Sequence, residues 1–126
     1  MAGNSKNVLL PYRFIVAASM GADITSNPTN IQYTDNAAVQ LNFTGTGVGV
    51  FSVEGSVDHA VNSMTNLQTV VGNWIPVTLD PVPVASGVDG QILIDMKELS
   101  FPWIRVVYTR TSGTGTLDGY ISAKVV

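Results

Sequence analysis

Apolar and polar residues alternate with period two along most of this chain, the spacing of strands that bury one face. Arg13 to Met20 is the first such run, and "NIQYT" and "AAVQLNFT" follow it. Between these two sit Asp35 and Asn36, a dipeptide that tolerates a tight turn, so the pair predicts a hairpin. In the second run Val39, Leu41 and Phe43 alternate with Gln40, Asn42 and Thr44. "VGVFSVEGSV", "WIPVT", "QILIDM", "WIRVVYTRT" and "TLDGYISAKVV" complete a set of about eight strands. His59 to Asn73 lacks the alternation and reads as a loop with strand fragments. Leu79 to Gly90 reads as a long loop, and Pro76, Pro81, Pro83 and Pro102 mark edges or connections, because proline cannot donate to a sheet ladder.

The stretch "WIRVVYTRTSGTGTLDGYIS" gives the sharpest local expectation. Folded antiparallel around Ser112 to Gly115, it sets Thr111 opposite Thr116, Ile104 opposite Ala123 and Val106 opposite Ile121. Tyr108 then lies opposite Gly119, whose missing side chain leaves room for the ring. The other face pairs Arg105 with Ser122, Thr109 with Asp118, Val107 with Tyr120 and Trp103 with Lys124. On this register Trp103, Val107 and Tyr120 form an outward apolar strip. A Gly-Thr-Gly also links two β runs in "FTGTGVGV", which reads as the same turn chemistry used twice.

These elements predict an all-β fold, a two-layer antiparallel β-sandwich of jelly-roll type, with a small closed barrel as the alternative. A chain of 126 residues fits one domain and buries roughly two-thirds of its unfolded surface. The domain is expected over residues 11–126, behind a flexible arm at residues 1–10. Its "MAGNSKN" is too small and polar to order itself and depends on a partner for order.

Charge changes the picture of the surface. Only 12% of residues are charged while 45% are hydrophobic, against about 25% charged in an ordinary soluble domain. Serine, threonine, asparagine and glycine must cover the outside, and such a surface costs little to desolvate against a neighbouring subunit. The net charge is −3, and the basic residues Lys6, Arg13, Lys97, Arg105, Arg110 and Lys124 are scattered. No basic stripe for nucleic acid results. The chain has no cysteine, so disulfides and thiolate metal sites are excluded. The amino terminus matches neither a signal peptide nor a membrane span.

Catalytic chemistry has little to start from. The single histidine, His59, stands beside Asp58 and is expected to be a solvated loop residue; a zinc site would want three or four ligands. Asp89 before Gly90 reads as a turn former rather than a calcium ligand. Phosphate-loop and hydrolase motifs do not occur, so neither enzyme activity nor a cofactor or metal is expected.

The order "VFSVEGSVDHA", "NWIPVTL" and "ILIDMKELSFPWIRVVYTRTSGTGTLDGYISAKV" resembles small structural proteins encoded among the virion genes of tailed bacteriophages. The resemblance runs from about Val50 to Val126 and rests on the Phe-x-Val-x-Gly-Ser strand, the tryptophan strand and the closing run. It implies a virion component made in the host cytoplasm: a capsid decoration (cement) protein, or a neck or tail accessory protein. It also implies partners among the major capsid protein or other virion proteins, and self-association, with a trimer favoured. The expected interface residues are Trp103, Val107 and Tyr120 on the strip and Asn4 and Lys6 on the arm. "VEGS", "NW" and "WIRVVYT" resemble the discoidin-like sugar-binding jelly rolls as well. That likeness implies a glycan-binding module, for which Tyr12, Trp74 and Trp103 are the candidate platforms or, equally, core or interface aromatics.

Overall fold

The computed structural model describes residues 8–125. Its strands, in chain order, are β1 (Val8–Ser19), β2 (Ile24–Thr25), β3 (Thr29–Asn30), β4 (Asn36–Gly45), β5 (Val48–Ser56), β6 (Ala60–Val61), β7 (Gln68–Val70), β8 (Ile75–Pro76), β9 (Val84–Ser86), β10 (Gly90–Met96), β11 (Trp103–Ser112) and β12 (Gly115–Lys124). No helix occurs among the described residues. Sheet A has the order β1-β12-β4-β10 and sheet B the order β2-β11-β5-β8, with β3 also on β11 and β9 also on β5. Every pairing is antiparallel, and the protein is a β-sandwich with a separate β6–β7 ribbon. The short strands β2 and β3 act as one interrupted strand and β8 and β9 as another, which gives eight sheet positions, the expected number, although the position filled by β2 and β3 is not among the expected strands.

The inward faces follow the alternation. Val39, Leu41 and Phe43 of β4, Phe51 and Val53 of β5, Ile104, Val106 and Tyr108 of β11, and Leu117, Ile121 and Ala123 of β12 are all buried. Phe43 of sheet A lies 5.5 Å from Phe51 of sheet B, which lies 5.0 Å from Tyr108, so three rings tie the layers together. Burial of each large apolar side chain contributes about 1.5–3 kcal/mol, so the three rings add to the core built by both sheets.

The expected closing hairpin does not form. β11 pairs with β5 on one side and with β2 and β3 on the other, whereas β12 pairs with β4 and β1. The segment Ser112 to Gly115 instead carries the chain from sheet B to sheet A. Both lateral edges of each strand are already taken, so the two cannot also bond each other. Thr46 and Gly47 make the matching crossing from β4 to β5, and the two crossings lie side by side. The Thr46 N–H donates to Thr114 O at 2.7 Å, and the Thr46 hydroxyl and the Thr114 N–H are 3.3 Å apart. Gly113 has φ of 75°, and a Cβ there would stand 2.0 Å from Thr46 O, so only glycine fits the approach. The repeated Gly-Thr-Gly is thus one turn chemistry used twice, at sheet crossings rather than hairpins.

Three other expectations shift. "NIQYT" is not a strand paired with "AAVQLNFT"; β3 ends at Asn30, Tyr33 has φ of 70°, and the segment turns from sheet B into sheet A. β1 opens at Val8, so residues 8–10 of the expected arm belong to sheet A, and residues 1–7 lie outside the described residues. The expected loop from Leu79 to Gly90 contains β9.

Gly119 does not make room for Tyr108, because their strands lie in different sheets. Gly49 of β5 does: a Cβ there would stand 2.6 Å from Tyr108 Cε1 and 2.4 Å from the backbone oxygen of Thr109. At Gly119 a Cβ would meet Ile15 Cδ1 and Phe14 Cε1 at 3.0 Å and Ile15 Cβ at 3.1 Å, a looser squeeze than at Gly49 and one that falls on side chains of the edge strand. Gly49→Ala should therefore cost about 1–3 kcal/mol by overpacking, and its Tm should fall by about 5–10 °C. Gly119→Ala should lose less than half as much by thermal denaturation; equal losses would contradict this assignment of the tight contact.

Candidate functional site

The expected apolar strip is divided between the two outer faces. Trp103 and Val107 point outward from sheet B and are half-buried, whereas Tyr120 points outward from sheet A, where it pairs with Gln40 and Arg13. Asn4 and Lys6 lie outside the described residues. Division follows directly from the sheet crossing, since the strip required β11 and β12 to be neighbours.

Around Trp103 the chain builds a side-chain cluster from the excursion between β5 and β8. Asp58 closes its two ends. One carboxylate oxygen accepts from the Ser56 hydroxyl at 2.9 Å and the Asn73 N–H at 2.7 Å, and the other accepts from the Asn73 amide at 2.8 Å. These donors favour the charged form, the Asn73 N–H most, and hold the Asp58 carboxyl below its ordinary range. His59 follows and is 5% exposed, so it is not the solvated loop residue expected. Its ring sits edge-on to Trp103 at 4.7 Å and 5.3 Å from Trp74. His59 Nδ1 lies 3.0 Å from Val71 O, and Trp74 Nε1 donates to the same oxygen at 3.1 Å. Arg105 covers the Trp74 ring at 4.4 Å and donates from Nε to Glu54 Oε1 at 2.7 Å.

The signal for this cluster was compositional. "DHA" and "GNW" bracket the longest stretch without alternation, yet neither reveals that the histidine is covered by two indoles. Among the described residues no group of three or more histidine, aspartate and glutamate side chains is placed to hold a metal. Asp89 accepts from the Gly45 N–H at 2.8 Å, which ties the connection before β10 to the end of β4.

The outer faces of the two sheets carry apolar and uncharged polar residues with a few charged ones among them. On sheet B, Val50 pairs with Val84 and with Thr109, and Val107 pairs with Ser52 and Thr25. Val50 and Val84 remain 41% and 53% exposed. On sheet A, a row runs from Leu93 through Gln40 and Tyr120 to Arg13. Asp118 faces this side rather than Thr109. Its carboxylate forms an ion pair with Arg13 and accepts from the Ala17 N–H at 2.8 Å, where Ala17 has φ of 46° in an irregular part of β1. The Arg13 guanidinium, followed by that N–H, holds the Asp118 carboxyl below its usual range. Asp118 therefore fixes a kink in the edge strand.

No protein-family model matches the sequence, and no curated protein matches it. Among solved structures, a chain of the infectious bursal disease virus VP2 subviral particle is similar with a TM-score of 0.51 and 11% identity, over 97% of this chain and 33% of that one. A chain from the structure of infectious bursal disease virus Gt strain gives a TM-score of 0.50 and 12% identity, over 97% and 32%. A chain of Bacillus endospore appendages, which are disulfide-linked pili, gives 0.41 and 13%, over 100% and 96%. The protein thus spans about a third of the two viral chains, and at these identities the likeness shows the fold.

Asp58 and Asp118 have native pKa values below their unfolded ones, so both stabilise the fold above about pH 4 and lose that contribution as pH falls through the depressed native values. Asp118→Asn should lower Tm at neutral pH, and the gap to the wild type should close as acid protonates the native carboxylate. Melting curves between neutral and strongly acidic pH measure this; a gap that stays constant would show that the charge of Asp118 contributes nothing.

Proposed function

We propose that the protein is a non-enzymatic structural component of a bacteriophage virion, a capsid decoration protein that self-associates and binds neighbouring capsid subunits. The observation that carries this reading is the outer face of sheet B, where the paired, exposed Val50 and Val84 adjoin half-buried Val107. Adjacent exposed valines on a sheet face are what a contact surface would present, and we take them as part of one. The low content of charged residues, 12%, keeps the cost of covering it small. Support also comes from the strand order: the chain alternates between the two sheets in the manner of a jelly roll, an architecture used by viral capsid domains. The fold likeness to chains of a virus particle points the same way.

The test is composition of purified particles. Quantitative mass spectrometry should find this chain at a copy number comparable to that of the major capsid protein. A few copies would reassign it to the neck or tail, and absence would overturn the reading. Val50→Asp with Val84→Asp should weaken rebinding to stripped particles while leaving Tm nearly unchanged. Deleting residues 1–7, which contain Asn4 and Lys6, should likewise weaken attachment without unfolding the domain.

A further inference from the structure

We propose that a cleft beside Trp103, between the β2–β3 turn and the β6–β7 excursion, binds a neutral saccharide, independently of any role in a particle. The cleft has a volume of about 410 Å³, within the range of about 300–1,000 Å³ usual for small-ligand sites. Asn27, His59, Asn66, Gln68 and Trp103 supply its polar and aromatic lining.

The polar atoms at this cleft are uncommitted. None of the Asn27, Asn66 and Gln68 side-chain amides has a hydrogen-bond partner among the described residues, and neither has the Trp103 indole N–H. Asn66 is held on the rim by its own backbone, whose N–H donates to Asn62 O at 2.7 Å with φ of 56°. His59 is the more telling residue. Its ring is 5% exposed, and Nδ1 carries the proton shared with Val71 O, because a carbonyl only accepts. Nε2 has no partner among the described residues and is not sealed off as the Tyr108 hydroxyl is, so it is open to accept from a donor in the cleft.

Complementarity selects the ligand class. The site offers an acceptor at His59, a donor at Trp103 and three amides that both donate and accept. Hydroxyl groups satisfy all of these, and a sugar ring presents several together with an apolar face for the indole. No charged side chain lines the cleft. The nearby Arg105 guanidinium is committed to Glu54 and Trp74, and the Asp58 carboxylate to Ser56 and Asn73. An anionic group or a metal ion would find no charged partner here, while an uncharged saccharide avoids the cost of desolvating a charge and regains its hydroxyl bonds from the amides, the histidine and the indole.

Two tryptophans make the test direct. The Trp74 indole N–H is bonded to Val71 O and serves as the internal control, while that of Trp103 is free to report. The full chain would first be screened on an array of neutral, sialylated and sulfated glycans. It would then be titrated by NMR with maltose, cellobiose and N,N′-diacetylchitobiose, together with any neutral oligosaccharide the array selects. Neutral sugar should shift the Trp103 indole signal more than the Trp74 signal. Asn27→Ala and Gln68→Ala change exposed side chains without partners, so the fold should persist while affinity drops about three- to tenfold for each. Trp103→Phe keeps a ring against His59 and should also weaken binding. Three results would overturn the proposal: no shift with any of these neutral sugars up to about 10 mM, wild-type affinity in both alanine variants, or binding confined to anionic glycans.

Discussion

The two sheet crossings packed against each other, backbone on backbone, are the constraint on which the sandwich depends. Where Gly113 meets Thr46, no side chain fits between the chains. This contact aligns β4 with β12 in sheet A and β5 with β11 in sheet B, so one junction sets the register of both central strand pairs. Neighbouring crossings join the same junction. The Met20 N–H donates to Gly115 O at 2.8 Å and the Gly87 N–H to Gly47 O at 3.0 Å. One end of the sandwich is therefore held by main-chain hydrogen bonds, while the aromatic ladder of Phe43, Phe51 and Tyr108 lies between the layers.

The opposite end is held differently. There the chain leaves β5, makes the β6–β7 excursion and returns to β8, and side chains rather than backbone fasten it. Asp58 joins Ser56 to Asn73, and His59 lies against both indoles. A histidine can be nearly buried here because Val71 takes up one ring nitrogen and the indoles supply apolar contact. Arg105 and Glu54 then cover the outer side of Trp74 as a partly buried pair. Side chains fixed to sheet B thus hold an irregular segment against it and form one wall of the Trp103 cleft.

What could be read from the sequence divides along the same physical line. Period-two alternation says which side chains point inward, and Ile104, Val106, Tyr108, Ile121 and Ala123 are indeed buried. It cannot say which strand lies beside which. A hairpin and a sheet crossing leave the same residues inward, because each strand keeps its own parity whether its neighbour is lateral or across the core. The outward partners do change, which is why Trp103 and Tyr120 lie on opposite layers and Asp118 meets Arg13. His59 differs from its expectation for another reason: its environment is made by Trp74 and Trp103, distant in sequence, and no local pattern carries that information.

The division between faces also orders the surfaces by what each can do. Sheet A presents Gln40, Asn42, Gln91 and Ser122 around Tyr120, groups that hydrogen-bond water readily, with the exposed Leu93 beside Gln40. Sheet B presents valines in adjacent rows, which water solvates poorly. A contact formed through sheet B would release that apolar surface from solvent while leaving the Arg13–Asp118 pair, on the far layer, outside the contact. The lining of the Trp103 cleft includes none of Val50, Val84 and Val107, so these valines and the cleft are separate features of one layer. Burial of one need not close the other, and a surface for assembly and a cleft for a small polar ligand are compatible on the same sheet.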